Sequence, residues 1–81
     1  MAGMKYIKFE YAGFVVFDKS QKHSDVAEKY PNDTVLSAGF VEMGIDQAIQ
    51  IGCYGESTSL NKKAEKGDAE KLFRRLSLYA Y

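Results

Sequence analysis

One cysteine, one histidine and one proline occur among the 81 residues, and eleven basic side chains cancel eleven acidic ones. Each scarcity removes a class of function. A lone Cys53 closes no intramolecular disulfide and builds no cysteine-based zinc site, so the expected setting is a reducing cytoplasm. A lone His23 excludes a histidine-based metal cluster, and no metal or other cofactor is expected. Formal neutrality leaves no global field to draw the molecule to DNA, RNA or an anionic membrane. No apolar run approaches the roughly 20 residues of a membrane span, and the N-terminus lacks the basic, apolar and small-residue regions of a secretory signal. Met1-Ala-Gly before Met4 is expected to be an appended leader or a disordered start.

What is present suits folding. Hydrophobic residues make up 46% of the chain and aromatics 14%, far from the polar, highly charged profile of a disordered segment. The length holds one domain, residues 1–81, with one small core. Ile7, Phe9 and Tyr11 alternate as in a strand. Gly13 then either closes a hairpin or marks a bulge, and Phe14-Val-Val-Phe follows as a strand covered on both faces. Ser24 or Asp25 is placed to cap a short helix through Val26, Ala27 and Tyr30, with Asp25 and Glu28 at capping-box spacing and Pro31 as the stop.

Thr34 to Met43 and Ala48 to Tyr54 are two apolar runs separated by four residues, Gly44 to Gln47, which predicts an antiparallel pair. Alternation sets Val35, Ser37, Gly39, Val41 and Met43 on one face of the first run, and Ile49, Ile51 and Cys53 together on the second. This hairpin is expected to form the centre of the core. A charged loop, Asn61 to Gly67, leads to Ala69, Leu72, Phe73, Leu76 and Ala80, the stripe of an amphipathic helix. Asp68 and Glu70 at its start and Arg74 and Arg75 in its second half suit the helix dipole. The element order is β(β)αββα, an α+β domain in which two helices cover one face of an antiparallel sheet of three to four strands.

The polar groups form no recognised catalytic signature. Cys53, His23, Glu56 and Ser57 make the one conceivable set for a minimal enzyme or a small-ligand binder. No cation or helix N-terminus stands beside Cys53 in sequence to activate its thiol, so a small buried hydrophobe is the plainer role. Gly52, Gly55 and Ser57-Thr58-Ser59 match no phosphate loop, and Gly39 and Gly52 suit close packing against the sheet. The basic residues of the Lys62 to Arg75 face are interleaved with Glu65, Asp68 and Glu70, the pattern of a solvated face more than of a nucleic-acid site.

Phe14-Val-Val-Phe, Ser20 with His23, Asp25-Val-Ala, Ser37-Ala-Gly-Phe-Val, Cys53-Tyr-Gly-Glu-Ser with Ser59-Leu, and the Arg74-Arg75 pair resemble a group of short uncharacterised bacterial and prophage proteins. A proline often stands in that group where this chain has Asp18, and the Lys5 to Ala12 strand looks like an extension. The resemblance implies one domain and a bacterial or phage source, and it brings no activity. The expected function is therefore a small non-enzymatic protein-interaction domain. Its candidate contact residues are Tyr54, Glu56, Ser57 and Ser59 at the end of a strand, with Tyr79 and Tyr81 at the end of the chain. Six tyrosines, five phenylalanines and a sheet with open edges also predict a homodimer, by strand pairing or through the aromatic C-terminus.

Overall fold

A computed structural model describes residues 4–45 and 49–79. Its main sheet has the strands β1 (Met4–Phe9), β2 (Gly13–Asp18), β3 (Val35–Ile45) and β4 (Ile49–Tyr54), all antiparallel, in the spatial order β2-β1-β3-β4. A short ribbon, β5 (Glu56–Ser57) with β6 (Lys62–Lys63), stands apart from that sheet. Two helices complete the domain, α1 (His23–Ala27) between β2 and β3 and α2 (Asp68–Tyr79) at the end. The α+β class with an antiparallel sheet is as the sequence indicates. Among the described residues no helix is long and apolar enough to cross a membrane.

Lys5 to Asp18 is a hairpin. Phe9 pairs with Gly13, and Gly13 takes φ +78°, a left-handed conformation that glycine enters without steric cost. The turn is clamped from outside by Asp33. Its carboxylate accepts the Tyr11 and Ala12 amides at 3.0 and 2.9 Å and its own neighbour Thr34 at 2.8 Å.

β1 is the strand that organises the core. Tyr6, Ile7, Phe9 and even Lys8 are buried, because β2 and β3 flank it and both its faces are covered. One cluster joins Ile7, Phe9, Phe17 and Ala38 to Val26 of α1; a second joins Tyr6 and Val41 to Leu72 of α2. Neighbouring residues of a strand point to opposite faces, so Tyr6 and Ile7 direct these clusters to opposite sides of the sheet. Val26 and Leu72 thus enter different clusters, where the sequence pattern suggested that both helices share one face. The strand that looked like an extension is central, and of the β3–β4 hairpin expected at the centre of the core, β3 is interior while β4 lies at an edge.

Three local expectations also change. The register of β1 on β3 shifts between Lys8 and Phe9, so Val35 opposes Phe9 and joins the α1-side cluster instead of sharing a face with Ser37. A β-bulge of this kind breaks simple alternation. α1 begins at His23, ahead of Ser24 and Asp25, and its N-cap Lys22 makes no side-chain cap. Burial of the His23 ring, edge-on to Phe17 and Phe40, fixes that start. β3 continues to Ile45 and β4 begins at Ile49, while residues 46–48 of the expected connection lie outside the described residues.

Candidate functional site

An open cleft of about 390 Å³ lies on the α1 side, lined by Lys5, Lys22, His23 and Phe40 together with Glu56, Ser57, Thr58 and Ser59. β4 delivers the second group to it. After Tyr54 the chain turns through Gly55, whose φ of +76° only glycine adopts readily, and the β5–β6 ribbon carries Glu56 and Ser57 round to α1. The ribbon is held by the Ala64 amide donating to the Gly55 carbonyl at 2.9 Å. Of the expected site residues, Glu56, Ser57 and Ser59 meet His23 here.

Most of these groups are already engaged. His23 is 5% exposed, and its Nε2 donates to the Gly39 carbonyl at 2.9 Å. Burial, with the charge of Lys5 acting the same way, holds its pKa below the ordinary histidine value against the backbone hydrogen bonds at Gly39 and Tyr6. A neutral ring fixed on a carbonyl is a structural bolt between α1 and β3. Ser57 is 3% exposed; its Oγ accepts from the Leu60 amide at 3.4 Å and lies 3.3 Å from Ser59 Oγ. Lys5 Nζ donates to the Gln21 carbonyl at 2.8 Å. Thr58, Ser59 and Glu56 remain exposed at the rim.

Cys53 does not join them. It opposes Val41 in the ladder and packs in the cluster of Tyr6, Val41 and Leu72, on the α2 side of the sheet. Burial and the nearby charge of Asp68 push its thiol up to about 11, against a hydrogen bond at Tyr6, so little thiolate forms at neutral pH. The set Cys53, His23, Glu56 and Ser57 is therefore divided between two faces. Tyr54 is 47% exposed, with its ring stacked on Phe40 at a centroid distance of 5.8 Å and its hydroxyl donating to Glu42 at 3.4 Å. Tyr79 is the last residue of α2, and Tyr81 lies outside the described residues. Along the basic face, Arg74 pairs with Glu70 at 2.7 Å and Lys63 opposes Glu56 in the ribbon.

The densest polar chemistry is elsewhere, at the start of α2. Asp68 is wholly buried; Oδ1 accepts the Lys8 ammonium at 2.8 Å, while Oδ2 accepts from the Tyr6 hydroxyl at 2.6 Å, the Ser37 hydroxyl at 2.8 Å and the Glu65 amide at 3.0 Å. Glu65 adds a second carboxylate 3.1 Å from Lys8 Nζ. The sequence treated Asp68 as a solvated helix-dipole residue. No local signal marks it: alternation at Ile7, Phe9 and Tyr11 leaves Lys8 with Tyr6 and Glu10 on the more polar side of the strand, the side that reads as solvated. With its carboxylate buried and its acceptors filled, Asp68 fastens α2 to β1, and Glu65 closes the network at the surface.

Among the described residues, no group of three or more His, Cys, Asp or Glu side chains is arranged to hold a metal ion. No family model, curated protein or solved structure matches the chain.

Proposed function

We propose that this chain is a small non-enzymatic protein-interaction domain, of the bacterial or prophage kind its sequence resembles, and that β2 is its working edge. The composition of that edge carries the reading. β2 is an outermost strand of the sheet, yet everything between Gly13 and Asp18 is Phe14, Val15, Val16 and Phe17. Edge strands of self-contained domains are ordinarily guarded by lysine, proline, a bulge or an inward charge. Between its end residues Gly13 and Asp18, β2 has no charge or proline, and it runs against β1 without a register shift. Its outward N–H and C=O groups are a template for strand addition, with half-buried side chains on both faces to select what docks.

Affinity capture from the source cells with wild-type and Val15→Lys baits tests this. A charge on the edge leaves the sheet room to fold, because a lysine there can carry its ammonium out to water. Proteins held by the wild type and lost from the folded variant support the reading; identical sets from both baits contradict it.

A second reading, a small-ligand site, has one observation in its favour: two lysines and three hydroxyl residues line the α1-side cleft against one carboxylate, Glu56. That lining suits a small anion. Titration with inorganic phosphate and with acetate, followed by amide chemical shifts, decides it. Saturable shifts confined to Lys22, His23 and the 57–59 turn favour this reading, and their absence removes it.

A further inference from the structure

Resting on the β2 reading, we propose that the strand added at this edge belongs to a second copy of the chain. The two β2 strands run antiparallel about a twofold axis at Val15, with Arg75 of each copy set against Asp18 of the other.

The charges at the two ends of β2 specify this arrangement. Asp18 closes the strand and opposes Met4, which packs with Tyr6 and Leu72, so its carboxylate stands on the α2 side of the sheet. Arg75 projects from α2 to the opposite end of the same strand. Its guanidinium lies so close to Gly13 that a Cβ built there would come within 2.9 Å of Nη1. One edge thus carries an apolar centre, an anion at its C-terminal end and a cation at its N-terminal end. Turned antiparallel, that edge is complementary to itself, and opposite charges meet twice.

Strand parity narrows the register. A twofold axis normal to the sheet keeps each face on its own side, so facing residues must share parity. With the axis at Val15, Val15 faces Val15, Phe14 faces Val16, and Ala12 faces Asp18. The second copy's Asp18 then arrives one residue from Gly13, where Arg75 already lies. Tyr11, 80% exposed at the tip of the hairpin, faces the second copy's Lys19, whose stem can cover the ring. The most exposed aromatic among the described residues is thereby given a neighbour.

Sedimentation equilibrium on four full-length proteins tests the inference: wild type, Arg75→Glu, Asp18→Arg and the double variant. Both positions are exposed, so the fold is expected to survive each change. The wild type is expected to self-associate, each single variant to weaken association about tenfold because the contact is lost at both symmetry-related places, and the double variant to recover most of it. Because Asp18 Oδ1 also accepts the Ser20 amide at 2.8 Å, recovery in the double variant separates the cross-copy pair from damage to that turn. Equal association by all four proteins, or a double variant no better than either single, overturns the inference. A monomeric wild type overturns it too and leaves the broader reading of β2 standing, to be decided by the wild-type and Val15→Lys baits.

Discussion

The buried Asp68 carboxylate accepts the Lys8 ammonium at 2.8 Å across 60 residues of chain, and this pair joins the last helix to the central strand. α2 reaches its place because Lys8, Tyr6 and Ser37 all present donors on one face of the sheet and Asp68 is the first residue of the helix that covers it. Breaking a buried pair is costly because the surviving charge keeps its desolvation penalty. Asp68→Ala is therefore expected to destabilise the fold by about 2 to 4 kcal/mol, leaving Lys8 only the more exposed Glu65 carboxylate and depriving three neutral donors of their acceptor. Lys8→Met leaves Asp68 with those donors and is expected to cost less, about 1 to 3 kcal/mol. Urea midpoints at neutral pH measure both, and an Asp68→Ala midpoint equal to wild type would refute the anchoring role.

The same network sets a pH dependence. Burial by itself would raise the Asp68 pKa, but the Lys8 ammonium, the Tyr6 and Ser37 hydroxyls and the Glu65 amide together hold it below the ordinary aspartate value. A depressed carboxylate stabilises the fold above its unfolded pKa of about 4, and that stability is lost as pH falls through the lower folded value. For Lys8 burial works downward, yet Asp68 and Glu65 more than offset it and its pKa is raised. Its contribution is complete below about 10.4 and disappears as pH rises through the higher folded value. Urea midpoints should hold a plateau between these limits and fall in acid, with a shallower acid slope in Asp68→Ala. An unchanged acid slope in that variant would assign the dependence to other carboxylates.

Gly39 and Gly52 offer a matched comparison. A Cβ on Gly39 would lie 2.5 Å from the Tyr54 carbonyl oxygen, a backbone atom that cannot step aside, whereas a Cβ on Gly52 meets nothing within 4 Å. Gly39→Ala is expected to cost about 2 to 3 kcal/mol through overpacking. Gly52→Ala should instead change stability by less than about 1 kcal/mol, toward greater stability, by restricting the unfolded chain. Thermal melts of the two variants measure the difference, and equal losses would contradict the packing assigned to Gly39.

Cys53 gives a chemical check. With its thiol pushed up to about 11 and half-buried beside Tyr6, it should react slowly with iodoacetamide at neutral pH and much faster in denaturant. Fast alkylation of the folded protein would return Cys53 to the list of candidate nucleophiles.

How far the fold was legible in the sequence depended on the range of the forces involved. Alternation at Ile7 and Phe9, the paired runs of β3 and β4 and the stripe through Leu72 are local, and each appears as a strand or helix where expected. The bulge beside Phe9 is invisible to alternation, so Val35 was placed on the wrong face. Strand order is a long-range property, and nothing within Lys5 to Phe9 distinguishes a central strand from an added one. Gly39 was legible as a close-packing site; Gly52, of the same type in the paired strand, is open. The cleft residues Glu56, Ser57 and Ser59 were visible as a polar cluster after a strand, but their meeting with His23 depends on the turn at Gly55 and the packing of α1. Asp68 stayed hidden because an acidic residue at a helix start has an ordinary solvated explanation, and its partner Lys8 falls on the more polar side of its strand's alternation.

The central claim, that β2 is where this chain meets other chains, is tested most directly by placing a photo-crosslinking phenylalanine analogue at Tyr11, beside the β2 edge, or at Thr58, on the rim of the cleft, and irradiating cells that express the protein. Both positions are exposed, so neither substitution disturbs the core. The account predicts discrete covalent adducts from position 11 and none from position 58. Adducts from position 58 alone would contradict it and move the working surface to the cleft.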